Sequence, residues 1–319
     1  MKKTLIAIAA IAAMGAASAQ VTLYGKVDLG ASNTSAGGTK VGLNGWETSR
    51  FGVKATETAA GLTLSANLEG KLRDDSSDGQ AGFKGFDRTA TVGVAGSFGA
   101  ITIGNQWTPF DNAVWTTDAL EYNGFTPLAG GIWNYDVGNT GMGNAKNSIQ
   151  YATPDMNGLQ AFVLSASNVA ANTQGAKNYT GLGVNYVKGP LVINFATQSY
   201  NGKYVGTAEV TTATISSNVL AINYNIGAAT LYGGLVNTTD DVAGSKDAGV
   251  TAGVKVPLGA DSVSVGYASN KTSLNGVDTT IGAWGAQYIK SLSKAAVAYF
   301  GVQSVDSVNK TGAGVRYNF

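Results

Sequence analysis

The residues predict an all-β fold: a transmembrane antiparallel β-barrel of about sixteen strands, with short turns on one rim and long loops on the other. Three observations carry this expectation. Apolar and polar side chains alternate with a period of two over segments of about ten residues, the length of a tilted membrane strand. Short and long links follow one another along the chain. After Ala19 no apolar run is long enough for a helical span, and a backbone in hydrocarbon satisfies its hydrogen bonds only as a helix or a closed barrel.

Met1 to Ala19 carries Lys2 and Lys3, an apolar stretch from Leu5 to Ala13, and the small residues Ala17, Ser18 and Ala19. These are the parts of a secretory signal peptide, which assigns 1–19 to export and 20–319 to the barrel. The first strand sets Val21, Leu23, Gly25, Val27 and Leu29 against Thr22, Tyr24, Lys26 and Asp28. Phe51, Val53 and Ala55 then oppose Arg50, Lys54 and Thr56, and Leu62, Leu64, Ala66 and Leu68 oppose Thr63, Ser65, Asn67, Glu69 and Lys71. Farther on, Leu182, Val184 and Tyr186 alternate with Gly183 and Asn185, whereas the segment from Leu191 to Ala196 is blurred by apolar residues of both parities. Leu220, Ile222, Tyr224 and Ile226 oppose Ala221, Asn223 and Asn225, and the stretch from Ala248 to Val256 alternates again.

Short links run from Gly96 to Ala100, Val187 to Pro190, Ile226 to Ala229, Pro257 to Asp261 and Ser291 to Ala295. Longer polar ones, among them Ser32 to Thr48, Asn201 to Thr214 and Asn270 to Asp278, lie between them. The polar face holds Lys26, Arg50, Lys54, Glu69, Lys71 and Arg316, which suits a wet lumen. Tyr24, Tyr151, Tyr186, Tyr224, Tyr267, Tyr299, Tyr317 and Phe319 fall near strand ends, as in interfacial girdles. Alternation continues to Phe319, and pairing of that last segment with the first one would close the sheet and remove its bare edges.

Without Lys2 and Lys3 the chain has 19 basic and 20 acidic residues, so nucleic-acid binding has no electrostatic support. There is no Cys and no His. The fold therefore has no disulfide, imidazole-based nucleophile systems are excluded, and no cofactor or metal is expected. An outer-membrane hydrolase is disfavoured for the same reason, and a plugged structural or adhesive barrel is the main alternative to a channel.

Four stretches in order resemble the trimeric Gram-negative porins of β-proteobacterial type: Val21-Thr-Leu-Tyr-Gly-Lys-Val-Asp28, Ser49-Arg-Phe-Gly-Val-Lys54, Asn147-Ser-Ile-Gln-Tyr151 with Pro154, and Val315-Arg-Tyr-Asn-Phe319. The resemblance implies a homotrimer in the bacterial outer membrane, passing small ions and hydrophilic solutes by passive diffusion. It also implies contact with outer-membrane lipid and lipopolysaccharide, and recognition of the strand ending in Phe319 by the barrel-assembly machinery. The third external loop would fold into the pore; here it runs from about Thr108 to Ala145 and offers Asp111, Asp118, Glu121 and Asp136. Facing it, a basic wall would comprise Lys26, Arg50 and Arg88. Parity supports Lys26 and Arg50 as lumenal but sets Arg88 with Ala90, Val92 and Val94. Gln150 and Asn105 stand where similar proteins often carry a cation, so the implied anion preference is weak.

Overall fold

The computed structural model describes residues 20–73, 82–83, 85–128, 143–167, 178–205, 210–241 and 243–319. Its strands are β1 (Gln20–Thr34), β2 (Gly38–Leu43), β3 (Arg50–Ala59), β4 (Leu62–Arg73), β5 (Gly82–Phe83), β6 (Thr89–Gly96), β7 (Gly99–Trp107), β8 (Asn144–Ala152) and β9 (Leu159–Ser167). They continue as β10 (Asn178–Lys188), β11 (Leu191–Val205), β12 (Val210–Asn225), β13 (Thr230–Asp240), β14 (Lys246–Leu258), β15 (Asp261–Leu274), β16 (Val277–Ser291), β17 (Ala296–Val305) and β18 (Val308–Asn318). β2 and β5 are short additions in the long links. The other 16 pair antiparallel, each with its neighbour in sequence, to form a closed barrel.

Closure is made by β1, which pairs with β18 from Lys26↔Asn318 to Thr34↔Lys310 and with β3 from Gln20↔Thr56 to Lys26↔Arg50. Two backbone bonds between Gly25 and Phe319, of 3.0 and 3.1 Å, extend the seam to the final residue. No sheet edge is left open along this seam. The apolar parity faces outward: Leu29, Leu235, Phe300, Tyr317 and Phe319 are each more than half exposed, as a surface solvated by lipid requires. Tyr224, Tyr267 and Tyr317 are exposed with them.

Two expected girdle residues point inward instead. The Tyr24 hydroxyl donates to Asn67 Oδ1 at 3.1 Å, and the Tyr299 hydroxyl donates to Asp28 Oδ1 at 3.0 Å. Both share the parity of the lumenal face, and nearness to a strand end says nothing about side.

Some links expected to be long loops are continuations of the ladder. β15 and β16 pair from Leu274↔Val277 downward, turning on Asn275 and Gly276 at φ 53° and 79°, which suits a tight two-residue hairpin. Likewise β11 and β12 pair to Val205↔Val210. Beyond the membrane both faces meet water, so hydropathy stops alternating while backbone pairing continues.

The inner face is also less uniformly polar than expected. Loop residues 108–128 lie inside the barrel, where Thr108 Oγ1 accepts the Asp111 N–H at 3.1 Å and caps helix α1 (Pro109–Thr116), with Pro109 in the first turn. Phe110 and Val114 of α1 pack with Ala196, Val219 and Val236 of the wall, all buried. Ala196, Val219 and Val236 occupy one register row across β11, β12 and β13. The apolar Ala196 that blurred the alternation is therefore the seat of a helix.

Farther round the wall, glycine makes room for the same loop. Gly253, Gly266 and Gly285 are register partners on β14, β15 and β16. A Cβ at Gly253 would lie 2.7 Å from Ala119 Cβ, one at Gly266 would lie 3.0 Å from Leu120 Cδ1, and one at Gly285 would fall on the Phe125 carbonyl. On the neighbouring strand β17, a Cβ at Gly301 would enter the Phe125 ring. Gln303 donates to the Thr126 carbonyl and Lys310 to that of Gly124, so hydrogen bonds fasten what the glycine groove accommodates.

Candidate functional site

The inward side chains of β1, β3, β4 and β18 bring Lys26, Arg50, Glu69 and Arg316 together with Glu47 from the link between β2 and β3. Glu47 pairs with Lys26, with Arg316 and, at 3.1 Å, with Arg50. Glu69 pairs with Arg50 at 3.4 Å and with Arg88 at 2.6 Å. The wall is thus a chain of four cations joined by two carboxylates, not a run of bare positive charge.

Arg88 belongs to this chain although parity set it with an outward face. β6 begins at Thr89, so Arg88 lies just before the ladder, its N–H bonded to the Glu69 carbonyl at 3.0 Å. There its guanidinium meets Glu69 and lies 5.0 Å from the centroid of the Trp107 ring.

Asp28 organises the neighbouring turn. Its carboxylate accepts the Trp46 N–H at 3.1 Å, the Glu47 N–H at 3.3 Å and the Tyr299 hydroxyl at 3.0 Å. Trp46 in turn donates through Nε1 to Gln287 at 2.9 Å, and its ring carries the Arg316 guanidinium at 4.7 Å. This frame delivers the Glu47 carboxylate between three cations. Burial alone would raise its pKa, but Lys26, Arg316 and Arg50 outweigh that and hold it below the ordinary glutamate value.

Of the four acids expected on the third loop, the three that are described differ in their surroundings. Asp118 is buried, and its carboxylate accepts the N–H groups of Leu120 and Tyr122 at 2.9 Å each and the Thr126 hydroxyl at 2.5 Å. It therefore closes its own turn rather than facing the pore, because a carboxylate so close to amide donors is stabilised by them. That turn holds Glu121 and Tyr122 at φ 61° and 54°, a left-handed conformation that residues with a Cβ seldom adopt. Glu121 extends from it to Lys255 of β14. Asp111, in the first turn of α1, lies deep in the same region, and Asp136 falls outside the described residues.

Between wall and loop is a cavity of about 370 Å3 whose lining includes Glu47, Arg50, Arg88, Trp107, Asp111, Trp115, Glu121 and Tyr122. Gln150 is not part of that lining. Its register row passes through Thr102, Gly93, Ser65 and Thr56 to Gln20, well along β1 from Lys26. Asn105 is displaced by the register shift between Gly104 and Gln106; Gln106 faces inward to Ser148, while Asn105 donates to the Asp87 carbonyl.

Sequence reasoning missed Glu47 and Asp28 as partners in the site. Asp28 carried the right parity but no sign of what it would bind, and Glu47 sat in a link with no period to give it a direction. Parity puts Glu69 and Arg316 on the wet face but gives them no place in the charge chain.

Residues 4–310 match a family described as Gram-negative porin. Outer membrane porin protein 32 of Delftia acidovorans is 32% identical over 280 residues, which make up 81% of this chain and 77% of that protein. The solved structure of an anion-selective porin from Comamonas acidovorans superposes with a TM-score of 0.79 at 25% identity, covering 94% of this chain and 100% of that one. OmpT of Vibrio cholerae, in a trimer form, gives a TM-score of 0.76 at 18% identity over 95% of this chain and 100% of its own, a likeness of fold. The chain therefore belongs to the Gram-negative porin family, forming an outer-membrane channel for passive diffusion of small hydrophilic solutes.

Proposed function

We propose that the channel prefers small anions weakly, and that the wall of Lys26, Arg50, Arg88 and Arg316 carries the preference. The observation behind this reading is the charge balance of that wall, where Glu47 and Glu69 offset only part of four positive charges. An excess of fixed positive charge beside a water-filled passage raises the local concentration of anions. Two positive charges are left over, and Asp111 and Glu121 line the same cavity, so the net field is small and the preference modest. Glu121 and Asp111 on the loop side complete a transverse field that orients dipolar solutes. The Comamonas structure is described as that of an anion-selective porin, which supports the same sign.

We propose that the channel works as a homotrimer; the Vibrio structure is described as a trimer form. Residues 1–19 are removed on export, the greasy exterior meets lipid and lipopolysaccharide, and the strand ending in Phe319 engages the assembly machinery.

The test is the reversal potential across a planar bilayer in a KCl gradient. Wild-type channels are expected to favour chloride, and Arg50→Ser is expected to move the potential toward cation preference. An unchanged potential in that variant would reject the role given to Arg50.

A further inference from the structure

Arg50 shares the cavity with a series of aromatic side chains. Trp107 and Trp115 lie 5.3 Å apart between ring centroids, and Trp115 and Tyr122 lie 6.0 Å apart with their planes only 17° from parallel. Trp115 is 36% exposed, although an indole of this size at the foot of a packed helix would ordinarily be covered. One end of this aromatic series already holds a cation, since the Arg88 guanidinium stands over Trp107. Arg50 lines the same cavity, and its five-donor fork has capacity beyond single contacts to the Thr48 carbonyl, Glu47 and Glu69.

An exposed π-surface beside a guanidinium fits a particular solute. We infer that the cavity is a subsite for aromatic carboxylates, the ring resting on Trp115 and the carboxylate meeting Arg50. Aromatic pairs gain from offset stacking beyond the area they bury, and a guanidinium recognises a carboxylate through parallel N–H donors. A saturated ring of the same charge keeps the second interaction and loses the first. A neutral aromatic alcohol keeps the first and loses the second. Glu121 and Asp111 at the same cavity disfavour a second negative charge, so monocarboxylates fit better than dicarboxylates. The subsite rests on the anion preference proposed above and gives it a substrate class.

The experiment titrates full-length channels with benzoate, cyclohexanecarboxylate and benzyl alcohol, reading tryptophan fluorescence and interruptions of single-channel current. Benzoate is expected to bind about three- to tenfold more tightly than cyclohexanecarboxylate, the range that aromatic stacking supplies. Trp115→Leu, which keeps an apolar side chain without the π-face, is expected to abolish that gap, and Arg50→Gln to weaken both carboxylates together. Equal binding of the two carboxylates by the wild type would overturn the inference, and so would a gap that survives in Trp115→Leu. The wild-type comparison decides the matter even where the variant fails to assemble. Chloride preference in the KCl gradient without a benzoate gap would overturn the subsite alone. A benzoate gap that depends on Trp115, without chloride preference, would overturn only the reading of the wall.

Discussion

Asp28 shows how one side chain sets the charge pattern of the pore without facing it. Its three bonds hold the backbone of Trp46 and Glu47 against the barrel, and only in that position does Glu47 lie among Lys26, Arg50 and Arg316. Asp28→Ala leaves two amide donors and a hydroxyl in a buried site without their acceptor. At about 1 to 3 kcal/mol for each stranded group, the loss of stability is expected to be about 3 kcal/mol or more. Tyr299→Phe removes one donor and its bond to a carboxylate together, and is expected to cost about 2 kcal/mol. Denaturant unfolding in detergent measures both. Similar stability in Asp28→Ala and wild type would mean that the turn is held by something else.

The third loop resembles a small globular core laid inside the wall. α1 has an apolar side, the wall supplies Ala196, Val219 and Val236 beneath it, and glycines on β14 to β17 admit residues 119 to 125. This docking makes the constriction a built feature rather than a flap. Gly285→Val places a branched side chain where the Phe125 carbonyl now sits. The loop is expected to leave its groove and single-channel conductance to rise, while the barrel still forms because its ladders are untouched. Gly233→Ala serves as the control, since a Cβ there would meet no atom nearer than 4.0 Å. Wild-type conductance in Gly285→Val would show that the groove does not position the loop.

Barrel integrity depends on the seam where first and last strands meet. Gly25 carries two of its bonds, and a Cβ there would enter the Phe319 ring and press on the Arg50 carbonyl, 2.7 Å away. Gly25→Val is therefore expected to lower the temperature at which the folded form, seen as a compact band in unheated gel samples, is lost. Because a closed sheet has no spare edge, damage at the seam destabilises every strand at once. A transition temperature equal to wild type would contradict this view of closure.

Strand identity, the greasy exterior and the inward direction of Lys26, Arg50 and Glu69 were legible in the residues, because a period of two assigns each side chain to a face and lipid tolerates only apolar residues on one of them. Arg88 illustrates the limit of that code: one residue outside the ladder, parity no longer applies, and its guanidinium turns to Glu69. Polar segments beyond the membrane could not be told from loops, since water faces them on both sides whether or not they pair. Asp118 read as a pore acid, yet its carboxylate turned to the amides of its own loop, a choice between nearby donors that linear order does not contain. The balance of the wall was likewise a product of folding: Glu47 lies far along the chain from Arg316, and closure of the barrel brings them into contact because β1 is the hydrogen-bonded neighbour of β18.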